Sequence, residues 1–324
     1  MALRIIRKSS SQSQVELIKG ASDLKPSVSL MLWVDSAESL AASLDMIQDQ
    51  WIQENAEVLI YKSEGFSEQI RSQLPAFNLT AKLINESKAS TWSSRLRTLI
   101  QESSTDYCLF VPFVTPDLAL TLQAMYQALK QDASLAMVAP ALLSQQTQVL
   151  IAAGQDTSFG LKPHQLNIND QSYSFEPAAS SLFYLYQGLK LNDWRQLCPQ
   201  KVQVTAVPLA VSAMRREAYL SVNWADHDWS PAWLAQDLAL SLRQKQYRLA
   251  VLPHTLSLNS SQLAWLEVGE VPSKFIEKWQ PLLRPVIFEL YRQHGWKQSA
   301  FRFTFQTLSG RSVQDYLSQK EALA

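Results

Sequence analysis

Three consecutive residues, Asp226, His227 and Asp228, place two carboxylates and an imidazole within one turn. These are donor types that can hold a metal ion. Adjacent side chains seldom converge on one ion, so a polar turn is the preferred reading. Three tryptophans bracket the triplet: Trp224, Trp229 and Trp233. Indole faces can stack on a sugar ring, and equally they can be core; the pattern leaves both readings open.

Composition narrows the classes. Tryptophan occurs 10 times and glycine only 8 times in 324 residues. Loops that cradle phosphates rely on glycine for close backbone approach, so the scarcity argues against a phosphate-binding loop of that kind. Lys+Arg and Asp+Glu are both 29, giving zero net charge. That balance implies no basic face, and nucleic acid is not expected as a partner. Cys108 and Cys198 supply neither a disulfide framework nor a CxxC spacing. No apolar run reaches the roughly 20 residues of a bilayer span. The opening "MALRIIRKSSSQSQ" is basic without an apolar core and does not read as a signal peptide. A cytoplasmic location is expected, with peripheral association at the inner face of a membrane as an extension of it.

The elements that must position any site follow from periodicity. Residues 1–25 are polar and Ser/Gln-rich, and are expected to be a flexible arm. Short apolar runs at 27–33, 56–63, 79–85, 106–113 and 135–143 read as strands. Between them lie helical patterns, with Leu40, Leu44, Ile47 and Trp51 on one face of the first, and Pro116 and Asp117 beginning the last. Alternation of this kind predicts an α/β fold with a mainly parallel sheet flanked by helices. Ligands then bind outside the carboxyl ends of the strands. The loops to inspect are 34–36, which holds Asp35, 62–65, 86–90 and 112–116. After about residue 145 the pattern becomes more polar. It then gives a strand with a helix starting near Met214, a helix and strand over 230–258, and a helical tail interrupted by Pro281 and Pro285.

The ordered set of segments resembles glycosyltransferase family 2, the GT-A nucleotide-sugar transferases, over roughly residues 27 to 280. The matching stretches are "VSLMLWVDSAESLAASLDMIQDQ", "AEVLIYKSEG", "STDYCLFVPFVTPDLALTL", "VAPALLSQQTQVLIAAGQ", "VTAVPLAVSAMRREAYLSVNWADHDW" and "AQDLALSLRQKQYRLAVLPHTLSLNSS". The resemblance implies a GT-A-like domain over 26–265. It would have a Rossmann-like, nucleotide-binding-like half at 26–145, an acceptor-like half at 146–265, and a helical extension over 266–324.

The same resemblance shows what is missing. The Asp-x-Asp that holds the metal falls at Pro112 and Val114. No acidic residue lies between Asp106 and Asp117, so shifting the alignment by one or two residues does not restore it. The family's metal-binding histidine falls at Asn259, with His254 five residues early. The catalytic base falls at Ala235, its preceding glutamate at Leu234, and the nucleoside-binding aspartate at Lys62. Of the Glu-Asp-x-Asp motif only Asp237 remains. No divalent cation is therefore expected.

Two functions follow from the resemblance. The first is a catalytically degenerate glycosyltransferase-like protein, a partner, scaffold or glycan-binding component in surface polysaccharide or glycan assembly. It would meet a nucleotide sugar or glycan, an active glycosyltransferase, or another assembly protein. In it Trp224, Asp226, Trp229 and Trp233 would face a glycan. The second is an active, metal-independent transferase. There Asp35, Lys62, Arg95 and Arg97 would meet the nucleotide and its phosphates, and Asp237 or Asp228 would be the base. Blander readings stand beside these: a helix cap for Asp237, surface charge for the basic trio, and solvated arginines at 215 and 216 instead of diphosphate contacts. The loss of cation site, base and nucleoside carboxylate together favours the first function.

Overall fold

In a computed structural model of the chain, the residues described are 6–9, 14–19, 25–62, 67–74, 79–85, 91–115, 118–158, 166–168, 171–173, 181–185, 187–188, 190–222 and 228–279. In chain order the first half comprises β1 (Ile6–Ser9), β2 (Gln14–Lys19), β3 (Val28–Val34), α1 (Ala37–Ile47), α2 (Gln50–Asn55), β4 (Ala56–Lys62), α3 (Ser67–Gln73), β5 (Thr80–Asn85), α4 (Trp92–Glu102), β6 (Tyr107–Val111), α5 (Leu118–Gln131) and β7 (Leu135–Ser144). The second half comprises β8 (Leu150–Ala152), β9 (Gln155–Ser158), β10 (Leu166–Ile168), β11 (Gln171–Tyr173), β12 (Ser181–Tyr184), α6 (Leu191–Leu197), β13 (Val202–Gln203), β14 (Ser212–Arg215), α7 (Arg216–Leu220), α8 (Pro231–Gln244) and β15 (Arg248–Leu258). A 3-10 turn at Gln262–Leu266 and a helix over residues 273–279 follow.

Eleven strands form one sheet in the order β1-β2-β5-β4-β3-β6-β14-β7-β15-β13, with β8 on β7. β5, β4, β3 and β6 run parallel, as do β7 and β15. β14 is wedged antiparallel between β6 and β7. The expected α/β architecture, a mainly parallel sheet flanked by helices, is the one observed. β3 and β4 are buried along their whole length, as strands covered on both faces must be. Alternation then divides their side chains. Leu30, Leu32, Val34, Val58 and Ile60 meet α1 and α5 on one face, whereas Met31, Trp33, Leu59 and Tyr61 meet α4 and α8 on the other.

Three expectations are corrected. Residues 14–19, expected in a flexible arm, are a strand paired antiparallel with β5, and Val15 and Ile18 each add a buried apolar side chain, one to either face of the sheet edge. The first helical run is two helices. α1 ends at Ile47, and Asp49 caps α2 by accepting from the amides of Trp51 and Ile52. The helix expected near Met214 starts at Arg216, since Met214 is held in β14 opposite Cys108. Of the helical extension, residues 273–279 are helical, and residues 280–324 lie outside those described.

Candidate functional site

The carboxyl ends of β3, β4 and β6 are where an open α/β sheet offers a crevice, because the strand order reverses between β3 and β6. Here that place is packed with rings. Trp33, next to last in β3 and 8% exposed, is stacked between Tyr61 at 4.7 Å and Trp92 at 4.6 Å. Trp265 meets Trp92 edge-on at 4.7 Å and Trp33 at 6.1 Å, and lies 6.0 Å from Phe110. It touches the apolar clusters of both sheet faces, so it closes over the strand ends. The segment bearing it is anchored by Gln262 Nε2, which donates to the carbonyl of Val114 at 3.3 Å. Asn259 caps this segment, its Oδ1 accepting from the Gln262 amide at 3.0 Å and from Ser261 Oγ at 2.7 Å. His254 is exposed on β15.

Arg95 belongs to this cluster. Its guanidinium carbon lies 5.1 Å from the Trp33 ring centre, 5.2 Å from Trp92 and 5.9 Å from Tyr61, within cation–π range. Asp35 is exposed at the same edge, where its Oδ1 accepts from Ser39 Oγ at 3.2 Å beside the α1 capping box. Lys62 is not in the loop after β4 but is the last residue of that strand, 4% exposed, on the face opposite Tyr61. Lys62 and Arg95 therefore belong to opposite sides of the sheet. Arg97 is partly buried on α4, two residues and more than half a turn from Arg95. The basic trio does not form one cluster.

The acceptor-side expectations are also changed. Asp237 is neither a first-turn residue nor open to solvent. It lies mid-α8 with no exposure, and its Oδ1 accepts from Lys278 Nζ and Trp279 Nε1, both at 2.7 Å. Trp229 is 7% and Trp233 1% exposed, and Phe275 packs against both, at 5.8 and 4.9 Å between ring centres. Both indoles are core, with no open face for a glycan. One short helix, 273–279, thus covers three of the residues expected to act. Asp228 is exposed just before them. Trp224 and Asp226 lie outside the described residues, as do 63–66, 86–90 and 116–117.

The arginines at 215 and 216 are neither solvated nor placed for a diphosphate. Arg215 donates to the carbonyls of Leu129 and Asp132 at the end of α5, and Arg216 to those of Ile100 and Gln101 at the end of α4. Each is a cation at a helix C-terminus, the favourable end for positive charge. Pro112 is buried and Val114 partly buried. Among the described residues, no three His, Cys, Asp or Glu side chains converge as metal ligands.

The ring cluster itself was not anticipated. Its sequence signal is slight: an aromatic one residue before the end of β3 and of β4, and another at the start of α4. Trp265 comes from the far end of the domain, and no local pattern announces it.

No family model matches the chain, and no curated protein matches it. Among solved structures it is similar to the mannosyltransferase PcManGT from Pyrobaculum calidifontis, determined in complex with GDP-Man and Mn2+. The match has 13% identity over 86% of this chain and 70% of that one, with a TM-score of 0.45. A likeness this distant assigns no chemistry to the present chain.

Proposed function

We propose that the chain is a divergent glycosyltransferase-family-2-like protein without catalytic machinery, working on the cytoplasmic side as a partner, scaffold or glycan-binding component of glycan or surface polysaccharide assembly. The observation that carries this reading is the ring packing at the carboxyl ends of β3, β4 and β6. Trp33, Tyr61, Trp92 and Trp265 pack against one another at the strand ends, where the resemblance would seat a nucleotide. Pro112 and Val114, at the positions where the resemblance would put metal carboxylates, cannot ligate a hard cation. No divalent cation is required on this reading. An active, metal-independent transferase is disfavoured because Asp237 is enclosed by Lys278 and Trp279, and Lys62 lies across the sheet from Arg95.

Calorimetric titration with UDP, GDP and their sugar conjugates, with and without Mn2+, tests it. The expected result is no heat of binding from folded protein. Binding at micromolar strength would overturn the reading, and transfer activity lost in Asp237→Asn would establish the alternative.

A further inference from the structure

We propose that the chain docks on the surface of an anionic lipid bilayer. An apolar rim around Phe113, Leu120 and Leu263 would sit among the headgroups, and the basic residues of 281–311 would pair with lipid phosphates. Only the side of the membrane rests on the reading of the chain as a component of surface polysaccharide assembly; the binding itself does not.

Among the described residues three large apolar side chains are exposed: Leu120 at 66%, Leu220 at 46% and Leu263 at 37%. Two of them flank one loop. The Leu118 amide, in the first turn of α5, donates to the Thr115 carbonyl at 3.3 Å, and Gln262 in the 3-10 turn donates to that of Val114 at 3.3 Å. Phe113 and Val114 are themselves only partly buried, and Ala264 is exposed beside Leu263. A single exposed leucine is ordinary, but two around one loop with a partly exposed phenylalanine make a patch. Residues 112–115, 118–120 and 259–265 include no charged side chain. A rim of this kind suits the boundary between headgroups and acyl chains.

Charge indicates the occupant. The net charge is zero, yet the two signs are segregated. Residues 26–61 hold six acidic residues and no basic one. Residues 281–311 hold Arg284, Arg292, Lys297, Arg302 and Arg311 against Glu289 alone, interleaved with six aromatic residues. Each basic residue near an anionic leaflet strengthens binding by about fivefold, and aromatic rings favour the headgroup level. A nucleic acid would meet the charges and leave the leucines in water; a bilayer meets both. Asp35 and Glu38, exposed at the start of α1, oppose an anionic surface. The rim alone therefore does not hold the chain there, and the basic segment is required. Lys278 and Trp279 fix the root of that segment on α8, and about 3.3 Å per residue is length enough to reach any side of the domain.

The test co-sediments the full-length protein with vesicles of phosphatidylcholine alone and of phosphatidylcholine with about one-third phosphatidylglycerol, at low and high salt. The anionic vesicles are expected to bind, and the neutral ones to bind at least about tenfold more weakly; high salt should weaken the anionic binding. Arg292→Gln, Lys297→Gln and Arg302→Gln together are expected to weaken it by about a hundredfold. Leu120→Ser with Leu263→Ser is expected to weaken it by about tenfold. If that double variant does not fold, Leu120→Ser alone, at the more exposed position, gives a smaller loss in the same direction. Absence of binding, equal binding to both vesicles, or unchanged affinity in either set of variants would each overturn the proposal. So would a dimer in solution that Leu120→Ser dissociates, which would assign the rim to a second copy, or binding of a single-stranded oligonucleotide in place of vesicles. These outcomes are separate from the nucleotide titration, in which binding overturns the degenerate reading alone.

Discussion

Asp237 Oδ1 accepts two hydrogen bonds of 2.7 Å from adjacent residues of one helix, the ammonium of Lys278 and the indole N–H of Trp279. The carboxylate is fully buried, and a charge so placed persists only when paired. Lys278→Met is therefore expected to lower unfolding stability by about 2–3 kcal/mol, less than a fully enclosed pair because the lysine side chain is 33% exposed. Urea denaturation measures this. An unchanged midpoint would mean that residues 273–279 are not held on α8 by this pair.

Glu57 anchors the opposite end of the strands. It is 1% exposed, and its Oε1 accepts from Ser29 Oγ at 2.5 Å and the Ser104 amide at 2.6 Å, while Oε2 lies 3.1 Å from Lys82 Nζ. Lys82 also donates to the Glu102 carbonyl. Glu57→Ala removes the carboxylate facing the Lys82 ammonium and the acceptor of the Ser104 amide, while Ser29 Oγ keeps Ser103 and Thr105 as partners, and is expected to cost about 3 kcal/mol. Adding Lys82→Met should recover part of that loss, a coupling read from a double-mutant cycle.

Asp132 ties the end of α5 to β15. Lys201 donates to its carboxylate at 2.7 Å, Ser134 Oγ at 2.6 Å, and Arg248 at 3.0 Å. The Lys201 bond first, and then those from Ser134, hold this carboxyl well below its ordinary value of 3.8. A folded value below the unfolded one gives stability that is complete above the unfolded value and declines as pH falls through it. Asp132→Asn is thus expected to flatten the loss of stability between about pH 4 and pH 2. The effect will be modest, because Lys201 and Arg248 are about one-third exposed and solvent screens them. Urea midpoints across that range decide it.

Cys108 and Cys198 are both buried. Burial pushes the Cys108 thiol up to about 12 and the Cys198 thiol up to about 11. Thiolate is the reactive form, so neither is expected to react with a disulfide reagent at pH 8 in the native protein. Both should react within the mixing time in denaturant. Fast reaction of one native thiol would show local opening around it.

Much of the architecture was legible from local pattern. The apolar runs that became β3, β4 and β6 are continuous because both their faces are covered, and periodicity reports burial directly. The absence of acidic side chains between Asp106 and Asp117 could likewise be read without coordinates, since it is a matter of composition. The arm was misread because β2 is short and mixed in polarity. It is a strand only because the edge of β5 offers it hydrogen-bonding partners.

What the tertiary structure alone decided was which side each candidate side chain faces and what lies over it. Lys62 and Tyr61 are adjacent in sequence, yet the alternation of β4 sends one into the cluster beneath α1 and the other to Arg95. Asp237 and Trp233 read as surface-capable residues of a helix. They are core because residues 273–279, some forty positions later, pack over α8. Trp265 closes the crevice above β3 from more than two hundred residues away. Local sequence determines the period of burial along an element, but the sequence-distant partner that completes the burial is set by how the elements pack.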